Sequence, residues 1–301
     1  MAQQMRKRAT YIRAEGDAAI ESTEYAARPE KKSGIAGVIA SLNPFKARQA
    51  APIELPDRRG PFVSRFRVAG PQIGIDLVQE HFGVEGAGNL LIQDHRVSSD
   101  RRAPVGGAQG ALLSSTGFDS GGPSDTLFTW QSSMTFINPR NLAVFDGQVV
   151  MTHVSGRKAI TDQLLAQLSK DPRRLAQIKD REAYMTCDNM YVEFDRSSRH
   201  SGDRSPLSGV TQIKKFEASR QVMLQLDDGK QEVHGSLVSY NEATGDLRIE
   251  GSGDVPAQFL RLDERTGEFT VVRAGPREFI EWNTKTRTLR KNGGSIIATG
   301  R

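Results

Sequence analysis

Short runs in which apolar and polar residues alternate recur along the chain, most clearly in its C-terminal part. Groups of turn-forming residues separate these runs, as at residues 227–230. Strands of roughly four to seven residues at intervals of about ten, with glycine-containing turns, are typical of an all-β meander, sandwich or barrel. An α/β fold would need helical periods between the strands, and these are missing. The clearest runs are residues 222–226, 233–240, 247–249, 259–262, 269–272, 279–282 and 295–298.

One segment, residues 159–181, breaks this pattern. The apolar residues between 160 and 168 have helical spacing, and Thr161 or Asp162 is available to cap the N-terminus. An Asp-Pro pair then opens a second short helical pattern over residues 171–178. The sequence therefore predicts a helical insertion between two β segments. The alternative is a polar loop with chance periodicity.

Four segments of the chain share one order of features: a strand, a turn, a second strand and a glycine. A fifth segment, residues 190–195, has the first strand and the turn but no clear second strand. A hairpin of this kind cannot bury its apolar face alone, so neighbouring hairpins must stack into a continuous sheet. One degenerate hairpin is therefore expected to be reused along the chain. The four segments are residues 73–92, 134–151, 237–251 and 279–300.

The repeated pattern is apolar–x–apolar–x–aromatic–Asn/Asp, a turn, and then apolar–x–apolar–x–Gly. It resembles the organic-solvent-tolerance (OstA-like) repeat of the LptA and LptC lipopolysaccharide-transport proteins, with the best matches at residues 235–251 and 133–151. The resemblance covers residues 62–158 and 182–301. It implies an elongated, open β-jelly-roll (a β-taco) of repeated hairpins whose apolar interior shields acyl chains. The helical insertion and a Gly/Ser-rich loop at residues 106–122 depart from the family pattern.

These patterns predict a division of the chain, and the resemblance implies a set of partners. Residues 1–61 would form an N-terminal strand plus a flexible basic linker, residues 62–158 and 182–301 two OstA-like β units, and residues 159–181 the helical insertion. Family members stack end to end, so the expected partners are a lipopolysaccharide-like amphiphile and other β-jelly-roll envelope proteins or further copies of the chain, joined through edge strands. The expected location is the periplasm or cell envelope, although no segment reads as an export signal.

An acyl chain needs a dry trough, and an open β-roll supplies one because alternate side chains point to the same face. The alternating residues of the repeats either line such a trough or pack together in a closed core, and the sequence leaves both interpretations open. Arg248, Arg261 and Arg287 would stand at the rim, where they either attract lipid phosphates or serve as solvated strand-edge residues. The candidate lining residues are Phe136, Phe145, Val149, Met151, Leu247, Ile249, Phe269, Val271, Ile280, Trp282 and Ile296.

Residues that carry catalysis or bind metals are sparse. Cys187 is the single cysteine, which excludes an internal disulfide, and in its apparent strand it is expected to be a small buried side chain. The 5 histidines are far apart and lack metal-binding spacing. A Gly-Gly-containing run at residues 119–123 matches the turn around a serine-protease nucleophile, but the histidine context is absent and a Gly/Ser loop fits better. The sequence predicts a non-enzymatic protein without metal or cofactor.

Charge and length set wider limits. The chain has 301 residues, a net charge of +5 and a pI of about 9.4, so nucleic-acid binding is the rival binding hypothesis. Its basic pairs, such as residues 58–59 and 214–215, are dispersed, and acidic residues interleave with most of them. Aromatic residues are not grouped beside them, so no specific nucleic-acid binding is expected. No apolar run reaches the roughly 18 residues that a membrane-spanning helix needs.

Overall fold

The computed structural model describes residues 11–25, 62–95, 124–155, 160–168, 175, 178, 181–196 and 210–292. In these residues the protein is mainly β, as the alternating pattern predicts. The strands are β1 Tyr11–Tyr25, β2 Phe62–Asp76, β3 His81–Glu85, β4 Gly88–Asp94, β5 Ser124–Trp130, β6 Ser133–Ile137, β7 Leu142–Ser155, β8 Ala183–Arg196, β9 Val210–Leu226, β10 Gln231–Asn241, β11 Asp246–Glu250, β12 Ala257–Asp263, β13 Glu268–Ala274, β14 Phe279–Asn283 and β15 Thr288–Lys291, and the helix is α1 Asp162–Leu168.

The strands form an antiparallel sheet in which three long strands, β2, β7 and β10, each pair with two shorter ones along one edge. Strand β2 pairs with β4 through residues 64–69 and with β3 through residues 72–76. Strand β7 pairs with β6 through residues 142–146 and with β5 through residues 150–155. The path from β7 through β5, β4, β2, β3 and β6 therefore returns to β7. This path closes a six-strand antiparallel ring, a barrel in its connectivity, from which the remaining strands extend.

A row of irregularities crosses the sheet and bends the long strands at one level. The pairing register shifts at residues 15–18 of β1, 146–149 of β7 and 235–237 of β10. Gly147 has a φ of +81°, and a Cβ atom at this position would overlap the side chain of Ser132, so glycine is required there. Because a β-bulge bends the strand that carries it, a row of bulges folds the sheet along one line.

The fold line divides the sheet into two layers. The first layer contains β3, β6, β11, β14 and β15, the second contains β4, β5, β12 and β13, and the long strands β2 and β7–β10 contribute one half to each. Side chains of the two layers meet in the middle. The ring of Phe66 in the second layer lies 6.1 Å from Phe136 in the first, and Phe128 stacks on Phe145 at 4.9 Å. The folded sheet therefore encloses an apolar core that extends from β2 to β14.

The two predicted repeat units are parts of this one sheet. Strand β8 pairs with β7 on one side and β9 on the other, which joins residues 62–158 to residues 182–301. Strand β1 pairs with β2 and places a strand of the predicted N-terminal segment at the edge of the sheet. The predicted linker beyond Tyr25 lies outside the described residues. The sheet and the core thus continue across the predicted boundary between the units.

Helix α1 confirms the first predicted helix of the insertion and packs on the outer face of the second layer. Ile160, Leu165 and Leu168 join Leu91 of β4 and Leu127 of β5 in a second apolar cluster. This layer is therefore covered on both faces. Strand β5 accordingly is buried at six consecutive positions instead of alternating.

The start of α1 also agrees with the sequence. The backbone N–H of Leu164 donates a hydrogen bond to the Thr161 hydroxyl oxygen at 3.2 Å, as expected of a capping threonine. Of the predicted second helix, the structure describes Leu175 and Ile178, which pack in the same cluster as α1. Among the described residues, no helix is long and apolar enough to cross a membrane.

Candidate functional site

The structure brings most of the predicted lining residues together in the core between the two layers. Phe269 and Val271 are instead on the opposite face of β13, where Phe269 is 38% exposed, and Val272 and Ala274 point into the core. Ile296 lies outside the described residues. The residues found in the core, all at 3% exposure or less, are Phe136, Phe145, Val149, Met151, Leu247, Ile249, Ile280 and Trp282.

The centre of the core is filled by aromatic rings from both layers. Phe136 stacks on Phe82 at 5.1 Å and on Phe194 at 6.4 Å, and Phe128 lies edge-on to Phe194 at 6.2 Å. The buried Trp130 donates its indole N–H to the carbonyl oxygen of Gly86 at 3.0 Å. These buried rings occupy the space that an alkyl chain would need, because protein interiors are close-packed. The centre of the molecule thus has the character of a closed core.

At the C-terminal end of the sheet the two layers border a cavity of about 710 Å³. Phe259 and Val272 contribute to its wall from the second layer, and Trp282 and Leu289 from the first. The Phe259 and Trp282 rings are 5.2 Å apart, so they join the two layers beside the cavity. The cavity therefore continues the apolar interior toward the surface.

Charged side chains surround this cavity. Lys230 forms ion pairs with Glu264 and, at 4.0 Å, with Asp227. The hydrogen bond to Glu264 raises the pKa of Lys230, and the same bond lowers the pKa of Glu264. The Arg261 guanidinium lies 5.9 Å from the centre of the Trp282 ring. Cations exceed acids by one in the lining, which contains Lys230, Arg261, Arg265 and Arg287 against Asp227, Asp263 and Glu264.

The three arginines predicted at the rim have different positions. Arg261 and Arg287 line the cavity. Arg248 does not: its Nε donates to Glu250 at 2.7 Å, and its guanidinium lies 3.8 Å from the centre of the Phe279 ring. Arg248 therefore supports the outer face of β11 and β14.

The opposite edge of the sheet also exposes apolar side chains. Ile12 of β1 pairs with Ile75 of β2 and is 41% exposed, and Ile20 is half-buried against the core. Leu77 and Val78, in the turn after β2, are exposed as well. The outer backbone edge of β1 pairs with no strand in the part of the chain that the structure describes. This edge therefore offers both hydrogen-bonding groups and apolar surface.

A buried polar group that the sequence did not indicate connects the second layer to the insertion. Asp125 of β5 is 1% exposed, and its Oδ2 accepts hydrogen bonds from the Gln93 side chain at 2.9 Å and from the backbone N–H of Ile160 at 2.5 Å. His95 Nε2 lies 3.3 Å from the other oxygen, Oδ1. Asp125 therefore ties the segment that precedes α1 to the sheet.

A buried histidine lies on the neighbouring strand. His153 Nδ1 is 2.8 Å from the Thr126 hydroxyl, and Nε2 is 3.6 Å from the Glu182 carboxylate. Burial lowers the pKa of His153 from 6.5 to about 4, against the opposing effect of the Asp125 charge. Although threonine, histidine and glutamate recur in catalytic groups, both Thr126 and His153 are buried. We therefore assign this group a structural role.

The buried state of His153 predicts a loss of stability in acid. The folded protein holds His153 neutral until the pH falls to about 4, whereas the unfolded chain binds a proton below about 6.5. Since the unfolded state then binds more protons, stability falls as the pH drops through this window. Between pH 7 and pH 4.5 we expect His153 to account for a loss of about 2–3 kcal/mol. Urea unfolding of the wild type and of His153→Gln at both pH values measures it.

His81→Gln serves as the control for this prediction, because His81 is only half-buried at the start of β3. We expect His81→Gln to show the same decrease in the free energy of unfolding between pH 7 and pH 4.5 as the wild type. In His153→Gln this decrease should be smaller by about 2–3 kcal/mol. An unchanged pH dependence in His153→Gln would contradict the assignment.

The structure also bears on the cysteine, the possible metal ligands and the protease-like run considered in the sequence. Burial raises the pKa of the Cys187 thiol to about 12, so this cysteine is the small buried side chain expected from its strand. Within the described ranges, no group of three or more His, Cys, Asp or Glu side chains is arranged to hold a metal ion. The protease-like run at residues 119–123 lies outside these ranges.

No protein-family model matches the chain, and a search of curated proteins finds no relative.

Proposed function

We propose that the protein binds the acyl chains of a lipopolysaccharide-like amphiphile and acts as a non-enzymatic component of lipid transport in cell-envelope assembly. The observation that carries this proposal is the cavity at the C-terminal end of the core. It combines an apolar wall, including Phe259, Trp282 and Leu289, with a small excess of cationic side chains. The repeat resemblance supports the same function. Binding would begin at this end, because the centre of the core is filled.

The cavity suits part of an amphiphile. Its volume of about 710 Å³ falls within the roughly 300–1,000 Å³ typical of small-molecule sites. An alkyl segment would bury apolar surface against the wall, at about 25 cal/mol per Å² of area removed from water. Arg261, Arg265 and Arg287 would face a phosphate or carboxylate at the mouth. In this proposal the sheet is an open jelly-roll at its C-terminal end, and the apolar trough is restricted to that end.

The edge of β1 supports the proposed assembly with other envelope proteins. A free antiparallel edge accepts a strand from another chain through backbone hydrogen bonds. Ile12 and Ile20 would add apolar contacts on the inner face of such a joint. We propose that a β-jelly-roll protein of the envelope, or a further copy of this chain, pairs there in the periplasm.

Photocrosslinking tests the lipid proposal directly. A photoreactive phenylalanine analogue at Trp282, which lines the cavity, should label a long-chain fatty acid and lipid A. The same analogue at Phe269, an aromatic position on the opposite face of β13, should not. In a fluorescent fatty-acid titration, Leu289→Asp should raise the dissociation constant about tenfold, since it places a charge on the apolar wall.

The closed centre favours a second candidate, a structural or interaction β-protein that carries no lipid. Equal labelling at Trp282 and Phe269, or no labelling at either, would establish this candidate instead. An unchanged dissociation constant in Leu289→Asp would likewise place any lipid outside the cavity.

A further inference from the structure

A cleft of about 640 Å³ lies against the second layer, near the insertion. Strand β1 forms one side with residues 17–19 and 21, and α1 forms another with Asp162, Leu165 and Ala166. The register aligns Ala69 of β2, Asn89 of β4 and Thr129 of β5 in one row across its floor. Because Leu127 of the same strand faces α1, Thr129 also points to the outer face, away from the aromatic core.

Two polar side chains of this cleft lack partners. The Thr129 hydroxyl is buried, since the residue is only 3% exposed, and it makes no hydrogen bond. Arg67 of β2 is half-buried and lines the cleft, and its side chain forms no hydrogen bond or ion pair with the rest of the described chain. A buried hydroxyl without a partner is uncommon in folded proteins and calls for an explanation. Both groups border the same cleft, which points to a ligand.

The other charged side chains that line the cleft form ion pairs with one another or are exposed at its edge. Arg65 donates to Glu21 at 2.9 and 3.0 Å and lies 3.0 Å from Asp162, so these three groups neutralise one another in part. Asp17 is exposed on β1. The lining of the cleft contains three acidic residues and two arginines. This excess of negative charge disfavours binding of a polyanion such as a nucleic acid. Arg67 can still form a bidentate pair with one compact anionic group.

We propose that this cleft binds a small hydroxylated molecule that carries one carboxylate or phosphate group. Arg67 anchors the anionic group, and the Thr129 hydroxyl bonds a hydroxyl or carbonyl of the ligand at the floor. Arg67 and Thr129 are two strands apart, or roughly 10 Å between the strands that carry them. A molecule of a few carbon atoms spans the gap between their side chains. The site is separate from the apolar cavity between the layers, so this proposal does not rest on the proposed lipid binding.

Titration calorimetry on the full chain with glycerol 3-phosphate and with glycerate tests the proposal. The two probes share their hydroxyl groups and differ in the anionic group, so the tighter probe identifies which anion the cleft prefers. Arg67→Gln should weaken binding of that probe at least tenfold, because it removes the cation. Thr129→Val keeps the shape of the side chain and should weaken binding about fivefold, which corresponds to one hydrogen bond.

Arg273→Gln is the matched control, since Arg273 is an exposed arginine on β13, away from the cleft. It should bind the probe as the wild type does. Circular dichroism confirms that each variant is folded. Equal binding by Arg67→Gln and the wild type would overturn the proposal. So would the absence of saturable binding of either probe below about 10 mM, the range of a weak specific site.

Discussion

Truncation of Phe136 to alanine is expected to lower the free energy of unfolding by about 3–5 kcal/mol, the usual cost of removing a buried phenylalanine. Phe136 is fully buried, stacks on Phe82 and Phe194, and meets Phe66 from the other layer. The surrounding rings belong to several strands, so the cavity left behind cannot close without moving both layers. Urea unfolding at neutral pH measures the effect.

This prediction also separates a closed centre from an open trough. A side chain that lines a water-accessible trough loses little when truncated, because its apolar surface is not fully removed from water. Phe269→Ala is the control, since Phe269 is on the exposed face of β13, and it should cost no more than about 0.5 kcal/mol. A similarly small cost for Phe136→Ala would mean that the centre opens in solution.

Strand pairing in the C-terminal part follows closely from the sequence pattern. The alternating pattern predicts that the repeats containing Leu247–Ile249 and Ile280–Trp282 present these residues on one face. In the structure Leu247 pairs directly with Trp282, and Ile249 with Ile280. Residues opposite each other in an antiparallel pair share a face, so an alternating pattern in both strands is enough to predict their common burial.

The pattern was ambiguous where two apolar residues are adjacent. In β13 both Val271 and Val272 are apolar, so the alternation is compatible with either face. Pairing with β12 decides the matter, because it sets the buried Phe259 opposite Val272 and Leu262 opposite Phe269. This information lies in the partner strand, and a shift of one residue reverses every side chain of a strand.

The fold line was not predictable for a related reason. In β8, Met185 and Cys187 face the core before the bulge, and Met190 and Val192 face it afterwards, so the alternation changes phase within one strand. A sequence pattern of period two shows only an imperfect run at this point. Since the fold line brings the two layers face to face, the distinction between a filled centre and an open end also required the structure.

The sequence pattern does not indicate the hydrogen bonds by which Asp125 holds the insertion on the sheet. Asp125 stands in a Ser-Asp-Thr run that is typical of an exposed strand. Its burial follows from the helix that covers β5 from outside, and its partners Gln93 and Ile160 are distant in sequence. Sequence spacing alone therefore located the helix but not the group that holds its segment in place.

Substitution of Asp125 by alanine should lower the free energy of unfolding by about 3–5 kcal/mol, as expected when one partner of a buried polar group is removed. The change leaves the buried Ile160 N–H without its acceptor, and the Gln93 amide keeps only the Ile160 carbonyl oxygen, at 3.3 Å. Amide hydrogen exchange should also accelerate first in α1, because its N-terminal segment loses its attachment to β5. Asp254→Ala, at an exposed position after β11, is the control and should change neither measurement. If the amides of α1 exchange at the same rate in the wild type and in Asp125→Ala, the apolar cluster alone holds the insertion on the sheet.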